Sequence, residues 1–507
     1  MTAPTSPLLQ DTLPQRSASP QDDRTGHTSR ITIALAALTA LVLGGGAVLT
    51  FEKVAPSLPE AIIGAVGLIC LVFLAVGRYE AAVALGFLLS GVVKIEPAPP
   101  DGVFAVIIAI AVVSGRLRID RIPAPVAGLL AALVSLNVLS FAAALNIGTG
   151  IRFVAITLYV ILFGIWLAGY ADRDTRGRRI VIAWLWIAVI SALLGSLALQ
   201  LGSFPARDWF IGDGASRADA LFKDPNVYGP FLVPISVILL EEMISPRLLR
   251  IRAFPGFLML AILIVGLIFS FSRAAWANML MATAIMLAIK LLRRRHTARI
   301  MRILGGLAIV GMIVLAVVVL TGKAGFIGER AQLQGYDSKR FSAQHFGVDI
   351  AEHYPFGVGP GNFQYHYPVE THSTYVRVLA EQGILAEVVW IGLCLVTLGF
   401  GLSNAIAGRN AAGIGSAALL GSWVGLLFNS AVVDTLHWRH LWVVAGLIWA
   451  ATLTGRSGEP DVALGHEDDD LNQLGPGPER ARGSSSLGQF DHGDVVEGRI
   501  VPRAPGA

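Results

Sequence analysis

The amino-acid sequence predicts an all-α polytopic membrane protein with about 12–14 transmembrane helices and one large extracytoplasmic loop. The chain of 507 residues is 54% hydrophobic and only 15% charged, which leaves more apolar surface than a soluble domain can bury. Several apolar runs, for example 31–51 and 150–171, exceed the ~20 residues that a helix needs to cross ~30 Å of hydrocarbon. Arginines are concentrated in alternate loops between these runs, as in proteins that cross a membrane many times.

The apolar runs define about fourteen predicted transmembrane segments. Only Ser272 and Arg273 separate the ninth segment from the tenth. The predicted segments are 31–51, 59–77, 80–94, 102–115, 123–146, 150–171, 180–202, 226–241, 254–271, 274–292, 301–321, 373–402, 411–430 and 440–454.

The arginines also predict which side each loop faces, because loops on the cytoplasmic side carry an excess of Lys and Arg. Arginine follows each even-numbered segment from the second to the twelfth, whereas the alternate loops carry few basic residues. Both termini are therefore expected in the cytoplasm, with an inner (cytoplasmic) membrane as the location. The stretches 203–225, 322–372 and 431–439 and the Ser272–Arg273 turn are expected on the outer face.

The two ends of the chain are predicted to be disordered cytoplasmic tails, at 1–30 and 456–507, because their polar, Pro- and Gly-rich sequences cannot form a core. The transmembrane domain then spans 31–455. Cys70 and Cys394 lie inside apolar runs without metal-ligand or disulfide spacing, so buried packing is their expected role. The net charge of +4 is small and its basic residues are scattered, which predicts membrane lipids as partners and no nucleic acid.

The predicted outer loop 322–372 is the longest, and long loops in compact proteins are often functional. Its middle part, 338–353, is compatible with a helix. A turn with Gly357, Gly359 and Gly361 follows. Three glycines at this spacing can expose backbone N–H groups as an anion-binding nest, or can serve as a plain turn.

His372 lies directly before the next predicted helix, for which Ser373 or Thr374 is a suitable N-cap. The partial positive charge of a helix N-terminus disfavours the imidazolium form, so a neutral imidazole is expected. Such a group can act as a general base or can be an interfacial histidine without a catalytic role. Asp434 and Arg439 are predicted to pair with each other as a structural contact at a helix end.

Five sequence stretches resemble the O-antigen ligase/polymerase family of membrane glycosyltransferases of the GT-C type. They are RADALFKDPNVYGPFL at 217–232, SRAAW at 272–276, GVGPGNF at 357–363, HSTYVRVLAEQGIL at 372–385 and DTLHWRHLWVVAGL at 434–447. The resemblance covers roughly 205–450 with the motifs in order. Ser373 stands where many relatives have asparagine.

The resemblance implies transfer of a glycan from a polyprenyl-diphosphate-linked donor to an acceptor hydroxyl on a glycan or glycolipid. It implies that His372 is the base, and that Arg273, Arg340 and Arg217 bind the diphosphate. Each arginine by itself could equally be a surface side chain at the interface. Arginine matches phosphate oxygens with a fork of donors, and a diphosphate leaves without protonation.

The sequence contains no pair of carboxylates of the kind that a glycosidase requires. It also contains no cluster of His, Cys, Asp and Glu with metal-ligand spacing. A metal-independent, cofactor-free, inverting transfer is therefore expected. Ligase, polymerase and protein-glycosylating activities stay open as alternatives, as does a different class of protein, a flippase or transporter of lipid-linked sugars. Transporters often carry mid-membrane ionisable groups, and Glu387 is the clearest candidate for one here.

Overall fold

The computed structural model describes residues 58–94, 98–212, 216–293, 297–322 and 335–454, together with Gly325 and Gly328. They belong to one compact unit, Met1–Gly458, and the second unit, Glu459–Ala507, lies outside the described residues. The first predicted segment, 31–51, and the predicted tails 1–30 and 456–507 also lie outside them.

The described part of the chain is almost entirely helical, as predicted. Two short antiparallel hairpins pair β1 with β2 and β3 with β4. In chain order the elements are α1 Leu58–Gly77, α2 Tyr79–Leu89, α3 Pro99–Val113, α4 Ala124–Leu139, α5 Ile147–Tyr170, α6 Asp174–Gln200, β1 Ile211–Gly212, β2 Arg217–Ala218, α7 Pro225–Ile244, α8 Ala253–Phe269, α9 Arg273–Leu292, α10 Thr297–Leu320, α11 Gly335–His353, α12 Thr374–Gln382, α13 Ile384–Ala407, β3 Asn410–Ala411, β4 Ile414–Gly415, α14 Ser416–Val432 and α15 Arg439–Thr454.

Among the described residues, seven helices are long and apolar enough to cross a membrane, and shorter apolar helices accompany them. The narrow split between the ninth and tenth predicted segments is confirmed, because α8 ends at Phe269 and α9 begins at Arg273. The prediction of one segment over 373–402 is wrong. Gly383 takes a φ of 91° and separates the amphipathic α12 from the apolar α13.

The two cysteines differ in their surroundings. Cys394 is buried, as predicted, but Cys70 is exposed, so the prediction of buried packing is wrong for Cys70. Helix α1 is apolar on all sides, so its sequence does not indicate which face turns away from the rest of the bundle. In the structure, Cys70 lies on that outer face.

The core helices pack through small and amide side chains as well as aliphatic ones. Helix α9 packs along α14, where the Nδ2 group of Asn278 donates a hydrogen bond to Oδ1 of Asn429. Both amides are fully buried. A polar contact between two apolar helices of this kind fixes their register, because an unpaired amide in an apolar interior is costly.

The charged residues gather at two ends of the helix bundle. At one end, Arg176 and Arg179 both bind Glu80, at 2.8 Å each. The same end holds a buried ion pair between Lys290 and Glu241, at 2.5 Å. The arginine-rich loops of the sequence thus meet at this end. The glycine turn, α11 and the residue before α12 lie at the opposite end, where the candidate site is formed.

Candidate functional site

Arg273, the first residue of α9, anchors the loop helix α11 to the bundle. Its Nη2 group donates to both carboxylate oxygens of Asp337, at 2.7 and 2.8 Å. The Asp337 side chain is 9% exposed and that of Arg273 is 31% exposed. A half-buried guanidinium with a buried carboxylate partner is held in one orientation, so the charge at this position is fixed in space.

Arg217 lies in β2 and is 4% exposed. Its Nε group donates to the carbonyl oxygen of Ser270, and Nη2 donates to Oδ1 of Asn226, both at 2.8 Å. These bonds join the hairpin, the start of α7 and the turn that leads into α9. Arg217 therefore supports the backbone three residues before Arg273.

His372 occupies a strained position between the long loop and α12. It is half-buried, and its φ of 47° lies in the left-handed region that non-glycine residues rarely adopt. The predicted cap is confirmed, because Oγ of Ser373 accepts from the backbone N–H of Val376, at 3.4 Å. Ser373 also donates to the carbonyl of Ser430, at 3.4 Å, which attaches this end of α12 to α14.

The surroundings of His372 lower its pKa below the ordinary value. Burial is the largest cause, and the positive charge of Arg340 on α11 acts in the same direction. The carboxylates of Asp224 and Asp434 oppose the shift without cancelling it. His372 is therefore a neutral imidazole at neutral pH, as the sequence suggested, but burial and Arg340 are the main causes.

The glycine turn binds a carboxyl group that belongs to the chain itself. Burial raises the pKa of this group, on Glu381, against the opposing effects of Arg377 and the N–H of Gly361. The buried carboxylate of Glu381 accepts from the backbone N–H of Gly361, at 2.7 Å, and from that of Phe363, at 3.3 Å. The N–H of Gly359 donates to the carbonyl oxygen of Glu381, at 3.0 Å. The turn thus resembles the predicted nest, and its occupant is Glu381 on α12.

Two positions of the turn require glycine, because the backbone of a neighbouring segment lies too close to leave room for a Cβ atom. A Cβ atom on Gly357 would lie 2.3 Å from the carbonyl oxygen of Glu381, and one on Gly359 would lie 2.8 Å from Cα of Ala144. Both residues also have positive φ, at 82° and 99°. The turn therefore fits closely between α12 and the connection from α4 to α5.

Arg377 links the same helix to the loop before α15. Its Nη1 group donates to Asp434, at 2.7 Å, and its Nε group donates to Glu381, at 3.3 Å. Burial alone would raise the pKa of Asp434, but Arg377 outweighs it and holds that pKa below its usual range. The predicted pair between Asp434 and Arg439 is wrong.

Arg439 instead binds Asp101 at the start of α3, with distances of 2.6 and 2.5 Å. The sequence separation of 338 residues explains why no local pattern indicated this partner. Arg377 and Glu381 were also not singled out from the sequence. Their spacing of four residues on a predicted helix, with opposite charges, is the signal that indicates such a pair.

His437 lies beside this network in the loop that carries Asp434. Its Nε2 atom lies 2.9 Å from Oγ1 of Thr157, and its ring packs edge-on against Phe153. Burial lowers the pKa of His437 to about 4, although the carboxylate of Asp434 acts against the shift. His437 is thus a second neutral imidazole near the site, which the sequence analysis did not identify.

We expect the Glu381→Gln variant to lose part of the stability of the turn. The amide fills the same space but has only one acceptor oxygen, so it cannot accept from both backbone N–H groups, and it leaves Arg377 with one carboxyl partner fewer. The loss should be about 1.5–3 kcal/mol in the free energy of unfolding. Thermal unfolding in detergent, with limited proteolysis of the 354–372 segment, measures it.

Glu370→Gln is the matched control. Glu370 lies 3.6 Å from the same Arg377, but its side chain is 48% exposed, so its charge contributes little to stability. Equal behaviour of the two variants would contradict the role given to Glu381.

Residues 258–391 match the family model described as O-Antigen ligase. No curated protein matches the chain. The matched range begins in α8, ends in α13, and contains Arg273, Arg340, the glycine turn and His372, whereas Arg217 lies before it. Residues 258–391 are thus similar to the O-antigen ligase family, and the match supports the resemblance to the O-antigen ligase/polymerase family that the sequence motifs indicate.

Proposed function

We propose that this chain transfers a glycan from a polyprenyl-diphosphate donor to an acceptor hydroxyl, at the outer face of the cytoplasmic membrane, in the synthesis of a surface or exported polysaccharide. The match to the O-antigen ligase family suggests a membrane glycosyltransferase-like function in polysaccharide assembly. The observation that carries the finer proposal is the position of half-buried His372 directly before α12, near enough to the cation Arg340 for that charge to lower the pKa of the imidazole.

The proposed roles follow from the charge that develops during the reaction. His372 removes the proton of the acceptor hydroxyl, and the acceptor oxygen attacks the anomeric carbon of the donor sugar. The bond between that carbon and the diphosphate oxygen breaks, and the diphosphate departs with the electron pair. Attack opposite the leaving group inverts the anomeric centre, and no metal is required for the departure because cations stabilise the diphosphate.

Arg273 and Arg340 are the proposed diphosphate ligands, on α9 and α11 respectively. The carboxylate of Asp337 fixes the guanidinium of Arg273, and the Arg273 side chain stays 31% exposed at the start of α9. Arg217 is buried against Ser270 and Asn226, so we propose that its contribution is to support the turn that presents Arg273.

We expect His372→Ala to insert and fold, to bind the donor, and to lose transfer by roughly 10²–10⁴-fold, the usual worth of a positioned base. The assay uses proteoliposomes with extracted lipid-linked glycan and acceptor, at matched protein level. His353→Ala and His366→Ala are the controls and should retain most activity. Near-normal turnover of His372→Ala would remove the histidine from the mechanism.

The pH dependence of transfer should report the lowered pKa of His372. A general base works only when deprotonated, so kcat/KM should fall as the pH drops through a value below the ordinary ~6.5 of histidine. Arg340→Gln removes a positive charge that disfavours the imidazolium form, so its acid limb should move to higher pH. If the acid limb of Arg340→Gln stays at the same pH as in the unaltered protein, Arg340 does not lower the pKa of His372.

The role of Arg273 can be separated from its contact with Asp337. We expect Arg273→Lys to be impaired nearly as much as Arg273→Ala, by on the order of 10²–10³-fold, because lysine lacks the bidentate fork. Asp337→Asn breaks the ion pair but keeps the guanidinium, so it should retain donor binding. Equal loss in Asp337→Asn and Arg273→Ala would mean that Arg273 only anchors α11.

The proposed orientation places Ser338 outside the cell and Thr297 in the cytoplasm, because the arginine-rich loops are cytoplasmic. Ser338→Cys and Thr297→Cys are introduced singly, with Cys70 and Cys394 replaced by alanine. Both sites are exposed. An impermeant thiol reagent should label only Ser338→Cys in intact cells, and the reverse pattern would place the site in the cytoplasm.

A further inference from the structure

Exposed apolar side chains flank the glycine turn at the candidate-site end of the bundle. Directly before the turn, Tyr354 is 41% exposed and Phe356 is 54% exposed, and Leu145, in the connection from α4 to α5, is 65% exposed. These three residues form an apolar band, and the turn between Gly357 and Phe363 is buried beside it. Contiguous exposed apolar surface marks a place where another apolar phase or partner covers the protein.

One part of the apolar band is attached to the first residues of α13. The backbone N–H of Ile384 donates to the carbonyl oxygen of Pro355, at 3.1 Å. A Cβ atom on Gly383 would lie 2.7 Å from Cα of Phe356, so the two segments are in backbone contact. Phe356 therefore lies beside the start of α13.

The connection from α4 to α5 is attached to the other side of the turn. The side-chain oxygen of Asn362 accepts from the backbone N–H of Asn146, at 2.8 Å, and the Nδ2 group donates to the carbonyl oxygen of Asn146, at 3.2 Å. The hydroxyl groups of Tyr365 and Thr149 lie 2.9 Å apart. These contacts join the turn to the beginning of α5, and Leu145 lies just before that helix.

The exposed surfaces of α5 and α13 continue the apolar band along the bundle. Both helices are long and apolar enough to cross a membrane. The exposed apolar residues of α13 recur at helical spacing on one face, at Ile384, Val388, Ile391 and Leu395. Those of α5 do the same, at Ile147, Ile151, Leu158 and Leu162. In a membrane-spanning helix such a face contacts lipid, and the band begins where these two faces end.

Continuity with the two lipid-facing surfaces determines what covers the apolar band. A second copy of the chain or a soluble protein would have to cover the band and leave the adjoining faces of α5 and α13 in lipid. The bilayer covers the band and the faces without interruption. A tyrosine also suits this boundary, because the hydroxyl of Tyr354 can stay at the level of the headgroups while its ring enters the apolar layer.

We propose that Leu145, Tyr354 and Phe356 enter the leaflet on the candidate-site side and anchor the glycine turn at the depth of the lipid headgroups. The turn and the Glu381 side chain that it binds are then held at a fixed height relative to the bilayer. A group carried by a lipid headgroup meets the turn without leaving the membrane. The anchor involves no substrate, so its test is independent of the glycan transfer proposed above.

Site-directed spin labelling measures the depth of the apolar band. Cys70 and Cys394 are replaced by alanine, and Phe356→Cys or Leu145→Cys is introduced singly. The full chain is labelled with a nitroxide and reconstituted in vesicles of phosphatidylethanolamine and phosphatidylglycerol. Oxygen concentrates in the apolar layer and a neutral nickel chelate in water, so the ratio of their collisions with the label reports its depth. We expect a ratio at both positions that exceeds the value in water severalfold.

Two exposed positions calibrate this ratio. Val388→Cys, at a residue 62% exposed on the lipid-facing side of α13, gives the value for lipid. His345→Cys, at a side chain 81% exposed on α11, gives the value for water. A Phe356 label with the His345 value would overturn the anchor, because the turn would then lie in water. A Phe356 label that neither reagent reaches would also overturn it, since a second copy or another protein would then cover the band.

A second measurement uses the unaltered sequence, so it does not depend on how the variants fold. The chain is reconstituted with a phospholipid whose acyl chain carries a diazirine close to the glycerol, and adducts are located by mass spectrometry after illumination. Adducts are expected on the peptides that carry Phe356 and Ile384, and none on residues 342–349 of α11. Adducts on the transmembrane helices without any on residues 354–356 would contradict the insertion.

Discussion

The buried carboxylate of Glu381 is the contact on which the geometry of the candidate site depends. It binds the N–H groups of the glycine turn on one side and Arg377 on the other, and Arg377 continues to Asp434 in the loop before α15. Buried polar and ionisable groups are tolerated only when their partners are in place. The loop, α12 and α15 are thus held as one unit, and His372 lies at the start of the helix that carries the central carboxylate.

His372 shows how this framework determines chemistry. A left-handed backbone at a non-glycine residue costs free energy, and it persists only where the surrounding contacts enforce it. Here the Ser373 cap and the Ser430 contact hold the following helix in place. The backbone at His372 is therefore held in one conformation, and burial together with the nearby Arg340 lowers the pKa of its imidazole.

The arginines near the site divide into different roles because their surroundings differ. Arg217 is buried and supports the backbone turn, whereas Arg273 stays partly exposed and is oriented by Asp337. Arg377 contacts three carboxylates, those of Glu370, Glu381 and Asp434. A fork of fixed donors is useful to a departing diphosphate only where it remains accessible, so Arg273 and Arg340 suit that role better than Arg217.

Composition, apolar runs and the distribution of arginine determined the all-α membrane fold and the order of its helices, because crossing a bilayer imposes length and hydrophobicity on each segment separately. Local signals also indicated the Ser373 cap and the helix within the long loop. The break at Gly383, the exposure of Cys70, the partners of Asp434 and Arg439, and the occupation of the glycine turn by Glu381 were decided by the tertiary structure. Each depends on which distant residue lies opposite, and contacts between residues far apart in the chain leave no trace in local periodicity.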